Sequence, residues 1–468
     1  MKCWIKENGY MTRKIIIASF FITLGLVMIS FSQNKYDAAV MFGNQLGFGT
    51  RALGMGGAYS AVADDYSASY WNPAGLAQIR RREVWLSVSY LNLNNDFSLN
   101  GNSITATSNT TKFNSVGLVY PVATFKGSLV VALGYQQLKD FDFSAQYLPT
   151  SDQGNTELSF RGLDPNQPEL ISNFYGAEVQ KEGSLKSDGS INQFSMASAV
   201  GITSDIFIGI TLNFWSGKSS QAINLVQTDA FNNFQTAPAD FDQYSEENTT
   251  FRKYSSFNGK FGTLMRLGRL ARVAIGMEFP QTFYIEDEKY FYGQLHLDDG
   301  QDFYFNSPLS GDSLKQEYEV KIPLRLTSGA AITLRNLILS GSAEFINWPQ
   351  YKFSNGARST ELLSNLTEGE LRPTLVVRTG AELRVPFLNS QFRAGAIYDP
   401  SPFKNQDMAF DRIYATLGYG LLVNHMFKLD LAYMLGFWKQ YNTGAITRNE
   451  IKENILYQKL FLNLSYRF

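Results

Sequence analysis

From Leu460 to Phe468 apolar side chains hold every second position (Leu460, Leu462, Leu464, Tyr466, Phe468), with Phe461, Asn463, Ser465 and Arg467 between them. One face of such a strand suits lipid and the other a hydrated lumen or polar packing, as the strands of an outer-membrane barrel require. The same rhythm recurs near 83–93, 112–121, 127–138, 191–202, 205–216, 252–266, 270–279, 317–334, 336–346, 373–385, 388–398, 410–422, 425–437 and 455–468, about fourteen strands in all. In the fifth, Ile206, Ile208, Ile210, Leu212 and Phe214 alternate with Phe207, Gly209, Thr211 and Asn213. In the tenth, Leu375, Val377, Ala381, Leu383 and Val385 oppose Arg378, Gly380, Glu382 and Arg384, so charge keeps to one face. An even strand number suits a bacterial barrel.

Long connections alternate with short ones. Those near 94–111, 139–190, 217–251, 280–316, 347–372, 399–409 and 438–454 are long, polar and aromatic; those near 122–126, 203–204, 267–269, Arg335, 386–387 and 423–424 are tight turns. A barrel with long extracellular loops and short periplasmic turns sorts its connections this way, and a soluble sandwich has no reason to. No apolar run after residue 33 is long enough for a spanning helix, so a chain that crosses a membrane must do so as a closed barrel. The predicted fold class is therefore all-β, an antiparallel transmembrane β-barrel.

At the other end, Arg13 and Lys14 precede an apolar run from Ile15 to Ile29, and Ser30 and Ser32 flank Phe31. This reads as a secretory signal peptide over residues 1–32, translated from Met1 or Met11, because the run falls short of the roughly twenty residues a spanning helix needs. Its cleavage removes Cys3, the only cysteine, leaving neither a disulfide nor a reactive thiol. Export without cysteines suits a Gram-negative envelope. With 41 Lys+Arg against 42 Asp+Glu, nothing points to nucleic acid as a partner. The 36 Phe and 25 Tyr fit aromatic belts at two membrane interfaces.

Residues 33–82 precede the barrel of 83–468 and carry the one motif. Gly47, Gly49, Gly54, Gly56 and Gly57 permit close backbone approaches, and Ala58 to Tyr70 is small and helix-compatible, so the segment reads as a compact plug for the lumen. In Asn72-Pro73-Ala74-Gly75, Asn can cap a helix and Pro fits its first position, which makes the motif a helix-starting turn, a functional element, or both. No Gly-Lys-Ser/Thr follows the glycines, which excludes a phosphate loop. Catalysis finds little support: His296 and His425 fall on opposite sides of the membrane, and neither has a neighbour at metal-ligand spacing. No motif calls for a cofactor.

With its Gly-rich leading segment, its Asn72-Pro73-Ala74 motif and its fourteen strands ending in Phe468, the mature chain resembles the FadL-type family of outer-membrane transporters for long-chain fatty acids and other hydrophobic compounds. The stretches at 52–58 and 63–65 are similar to those of family members of unassigned substrate. A related branch serves type IX secretion in Bacteroidetes, where the barrel binds exported proteins. The resemblance implies a hatch over 33–82 gated around Asn72, Pro73, Ala74 and Gly75, ligand capture at long loops, a lumen pocket, and sideways release through a kink in the third strand, for which Gly134 is the candidate.

Candidate capture residues are Ile223, Leu225, Phe231 and Phe234 in the loop at 217–251, and Phe283, Tyr284, Phe291 and Phe303 in the loop at 280–316. Phe141, Phe143 and Tyr147 are similar groups at 139–190. Such apolar density marks an interaction surface, or loops that pack on one another and prolong the strands above the membrane. The expected partners are outer-membrane lipid and a hydrophobic small molecule such as a fatty acid, or, on the alternative reading, secretion-system or exported proteins. Lumen-face cations Arg272, Arg325, Arg378, Arg384, Arg393, Arg412 and Lys428 are expected to pair with carboxylates such as Glu278, Glu382 and Asp430 rather than stand free for a ligand.

Overall fold

A computed structural model of the chain describes residues 46–99, 102–153, 159–161, 171–173, 178–233, 241–307, 314–354, 371–404, 406–424, 426–443 and 450–468. The expected signal peptide, Phe234 and His425 lie outside the described residues.

The alternating segments form a closed antiparallel barrel of fourteen strands. They are β1 Glu83–Leu99, β2 Asn102–Val122, β3 Ser128–Asp140, β4 Glu178–Gly201, β5 Ile206–Thr228, β6 Phe241–Leu267, β7 in two pieces Ala271–Glu278 and Gln281–Leu297, and β8 in two pieces Leu314–Ile322 and Arg325–Leu334. Then follow β9 Leu337–Ile346, β10 Thr374–Val385, β11 Ser390–Asp399, β12 Arg412–Val423, β13 Phe427–Thr443 and β14 Glu450–Arg467. Pairing of β1 with β14, from Glu83 opposite Arg467 to Phe97 opposite Glu453, closes the cylinder. The breaks in β7 and β8 face one another at Pro280 and Pro323, where proline has no amide hydrogen for the ladder.

The wall inverts the pattern of a water-soluble protein. Leu86, Val88, Leu118, Leu133, Leu431, Leu462 and Leu464 stand exposed on the outside, while Glu382, Arg393, Asp430 and Asn463 are buried within. Such a surface is stable against hydrocarbon, not water. Short turns lie at one end, and Gly127, Gly268, Arg335, Asn389 and Asn424 take left-handed backbone angles there. Asn accepts that conformation readily, but a β-branched residue does not. Asn389→Val is expected to lower stability by about 1–2 kcal/mol, read as a lower unfolding temperature, while Asn389→Gly leaves it unchanged or higher.

At the other end several expected loops are strands. β5 runs to Thr228, the second piece of β7 runs from Gln281 to Leu297, and Asp302–Ser307 folds back onto it. The apolar side chains at 217–228 and 281–307 therefore belong to barrel walls that rise past the lipid.

The segment from Leu46 to Arg82 lies inside the barrel. It contains helix α1 (Thr50–Gly54), helix α2 (Ala68–Trp71) and a 3-10 turn (Pro73–Gln78). Of the helix-compatible stretch from Ala58 to Tyr70, only the end is α-helical, in α2. Ala58 to Ser67 instead turns repeatedly, with several of its polar atoms bonded to the wall or to one another, as in Tyr59 donating to Asp65 and the Tyr66 amide donating to Glu83.

Candidate functional site

Three pairs of directly opposed glycines on neighbouring strands form seats for the inner segment. Gly117 and Gly134 lie under the Tyr66 ring, Gly209 and Gly262 under Asn72-Pro73-Ala74, and Gly380 and Gly395 under Met55-Gly56. A methyl group on Gly209 would come 2.5 Å from the Ala74 amide nitrogen, and one on Gly117 would come 2.5 Å from the Tyr66 ring. Removing both side chains from a cross-strand pair hollows the wall enough for another backbone to lie against it. Inward-facing glycines were visible in the sequence, but their pairing depends on register, which only the assembled sheet supplies.

The Asn72 motif is both a turn and a fastening. Asn72 Oδ1 accepts from the Ala74 amide at 3.1 Å and caps the 3-10 turn, while Nδ2 donates to Ser60 O at 2.9 Å and to Thr263 O on β6 at 3.0 Å. Pro73, Ala74 and Gly75 are buried, and a methyl on Gly75 would press on Ala63. Asn72→Ala is expected to cost about 1–3 kcal/mol through the lost cap and two orphaned carbonyls, measured as earlier protease cleavage within 46–82.

A chain of ion pairs ties α1 to the wall. Arg51 Nε lies 2.6 Å from Glu382 Oε2, and Arg51 also meets Asp64 and donates to Tyr59 Oη at 2.9 Å. Glu382 accepts from Arg393 at 2.9 Å, Arg393 reaches Asp430 at 2.8 Å, and Lys428 stands 3.2 Å from Asp430. Arg384 also pairs with Glu382, Arg325 and Arg378 with Glu344, and Arg412 with Asp399. The expected pairing of lumen cations therefore holds for these residues, with Glu278 taken by Lys260.

The candidate capture residues do not form one pocket. Ile223 and Leu225 lie on the inward face of β5, and Phe283 and Phe291 on the inward face of β7. Phe283 and Phe291 are eight positions apart, roughly 26 Å along a strand. Phe283 is fully buried and meets Trp215 at 5.7 Å, one wall of an apolar lumen that includes Ile285, Tyr254 and Val320. Tyr284 points the other way and is 55% exposed, and Phe231 is 51% exposed at the tip beyond β5. Phe303 lies in the short strand that folds back, its backbone opposite Leu295. Trp215 went unmarked in the sequence, although its place on the alternating face of β5 was legible.

Among the described residues the wall breaks conspicuously between β2 and β3. β2 and β3 pair from Val122 opposite Leu129 to Ser115 opposite Gln136 and, among the described residues, no further. Gly134 lies within that regular stretch, opposite Gly117, so it seats Tyr66 and does not kink the strand. The irregularity is at Leu138, the extra residue where Gln137 faces Asn192 and Lys139 faces Ile191 of β4. β2 carries its own extra residue, Asn114, against β1, since Ser87 faces Ser115 and Val88 faces Phe113. A bulge bends its strand, and two bulges at one level, each on the far side from the other strand, part the edges between them.

Past the bulges the line of β3 continues as a short strand, Phe143–Gln153, which pairs with β4. Phe141 turns inward and stacks on Tyr254 at 5.7 Å. Lys112 on β2 spans the gap, with Nζ 2.6 Å from Asp142 and 3.2 Å from Asp140. Asn114 Oδ1 and Gln137 Oε1 are buried there without a hydrogen-bond partner. On the outer surface Phe113 and Tyr135 stack at 6.3 Å, and beyond them the outward positions turn polar at Thr111, Asn109 and Thr107. That change from aromatic to polar places the gap at the outer interface of the lipid.

A fourteen-stranded barrel holding its own leading segment in the lumen is the FadL-type fold. Among solved structures, that of a Pseudomonas aeruginosa FadL homologue aligns over 91% of this chain and 100% of its own, with a TM-score of 0.58 and 14% identity. The Pseudomonas putida toluene transporter TodX aligns over 91% of this chain and 99% of its own (TM-score 0.54, 13% identity). The Ralstonia pickettii toluene transporter TbuX aligns over 91% and 99% (TM-score 0.51, 14% identity). No family model and no curated protein sequence matches the chain.

Proposed function

We propose that the protein is an outer-membrane channel for the uptake of long-chain fatty acids or other hydrophobic compounds. In this reading the outer walls capture the compound, the lumen holds it above residues 46–82, and the gap between β2 and β3 releases it sideways. The gap carries the proposal. A hydrophobic molecule gains about 25 cal/mol for each Å² withheld from water, so a route from lumen to lipid is downhill while a route past the inner segment into the periplasm is not. The seats, the Asn72 fastening and the Arg51–Glu382 pair support an inner segment that stays in place and a porin-like aqueous path that stays shut. The solved neighbours described as toluene transporters and as a monoaromatic hydrocarbon channel agree with apolar cargo.

Cells lacking the gene and cells restored with it are to be compared for uptake of a radiolabelled hydrophobic compound at limiting concentration. Restored uptake supports the proposal. Equal uptake in both, with exported proteins copurifying on the barrel, favours the secretion reading instead.

A further inference from the structure

We propose that the short-turn end of the barrel carries a docking site for an acidic segment of a partner protein, built from Arg80, Arg266 and Arg272 at the mouth and extended by Arg269 and Arg335 on the rim. The proposal goes beyond the transport reading and does not depend on it.

The near-zero net charge of the chain hides a strong segregation. Strands β6 to β8 carry Glu246, Glu247, Glu286, Glu288, Glu317 and Glu319 toward the end with the tall walls. Their arginines gather at the end with the short turns, which faces the periplasm in the orientation expected from the loop lengths. There Arg266 on β6 lies directly opposite Arg272 on β7, and both face inward, in step with the buried Leu264 and Ala274. Like charges directly opposed on one face of an antiparallel pair destabilise it. Arg80, just past the 3-10 turn of the inner segment, is a third guanidinium close enough to act on Arg266.

Arg266 is held in place: it donates to Gln78 Oε1 at 2.8 Å, and its guanidinium lies 4.8 Å over the Phe207 ring. None of the three arginines makes an ion pair with a described carboxylate. Asp205 and Asp64 act on Arg266 from further off, but Asp205 accepts from Ser204 at 2.8 Å and Asp64 is held by Arg51. Glu83, also at this end, is taken by Arg467. An anion entering the mouth relieves the repulsion, and a planar guanidinium grips a carboxylate or phosphate through two parallel hydrogen bonds.

Two observations select the occupant. Arg266 and Arg272 face the mouth and not the lipid, so membrane head groups are poorly placed to reach them. The cations also continue outward: Arg269 is exposed in the β6–β7 turn and Arg335 in the β8–β9 turn, and these turns stand about 10 Å apart across two strand spacings. A single phosphate meets only the mouth. An extended acidic segment presents a carboxylate on one side about every 7 Å and spans mouth and rim together.

The experiment measures binding of fluorescein-labelled octaglutamate to the purified full chain in phosphatidylcholine nanodiscs, by fluorescence anisotropy at low salt. Wild type is expected to bind it and to leave octaglutamine unbound. Arg272→Gln is expected to bind octaglutamate about tenfold more weakly, the value of one charge-assisted contact. Because Arg272 repels Arg266 in the free barrel, the same variant is expected to keep or raise the unfolding temperature. Lost binding beside undiminished stability is the result a merely structural arginine would not give. No binding by wild type, binding that survives Arg272→Gln, or a loss accompanied by a lower unfolding temperature overturns the proposal. Displacement by inorganic phosphate at equal charge concentration overturns it in favour of a single-anion site. Phosphatidylglycerol copurifying with wild type but not with Arg272→Gln overturns it in favour of lipid head groups.

Discussion

Deleting Asn114 and Leu138 together is expected to abolish uptake while the barrel still forms. Each is the unmatched residue of a bulge, and removing it keeps the in-and-out alternation beyond it: Ser115 stays inward, Phe113 outward and Lys112 inward. With both bulges gone, the edges of β2 and β3 are free to pair past Ser115 and Gln136 toward the outer end. A molecule leaving through a paired wall must break ladder hydrogen bonds where no water replaces them, at several kcal/mol each. Since about 1.4 kcal/mol is a factor of ten, uptake should fall at least about a hundredfold. Barrel assembly is checked by heat-dependent mobility in gels. A folded double-deletion variant with normal uptake would place the exit elsewhere.

Replacing Glu382 by Ala should loosen the inner segment and make the barrel leak ions. Among the described residues, Glu382 is the carboxylate that touches Arg51 of α1 and both Arg393 and Arg384 of the wall. Without it, Arg51 and Arg393 lose a shared buried carboxylate, and breaking such a pair costs about 3–5 kcal/mol. The ion pair acts beside the Asn72 fastening and the buried apolar side chains of the inner segment, and it is the tie that holds α1. The expected result is a stepwise conductance in planar bilayers that wild type lacks, with protease cleavage appearing between 46 and 82. A silent Glu382→Ala barrel would show that packing alone retains the segment.

The wall was legible because its cause is local. Lipid on one side and a polar lumen on the other impose a two-residue period, so Leu460 to Phe468 and Ile206 to Phe214 could be placed on their faces from the sequence. The short turns were legible for the same reason, with left-handed residues now found in them at Arg335 and Asn424, while Asn389 lies just past the turn expected at 386–387. Strand length was not. Above the lipid the outward side chains become polar, as at Thr107 and Asn109, and the rhythm that marks a strand fades although the backbone continues to pair.

Register was the other hidden quantity. Gly134 invited a kink because a lone glycine in a strand often marks one, yet its meaning comes from Gly117 across the ladder and Tyr66 above both. Asn114 and Leu138 gave no signal, since a bulge exists only relative to a partner strand.

The central claim, that cargo leaves the lumen sideways between β2 and β3, is tested most directly by photolabelling in living cells. A long-chain alkyl diazirine is fed to cells expressing the chain, irradiated, and the adducts mapped by mass spectrometry. The account predicts adducts within 110–115 and 135–142 and none on Gln78 or Arg266, which meet beneath the inner segment at 2.8 Å. Labelling of those two residues, with the gap left bare, would contradict it.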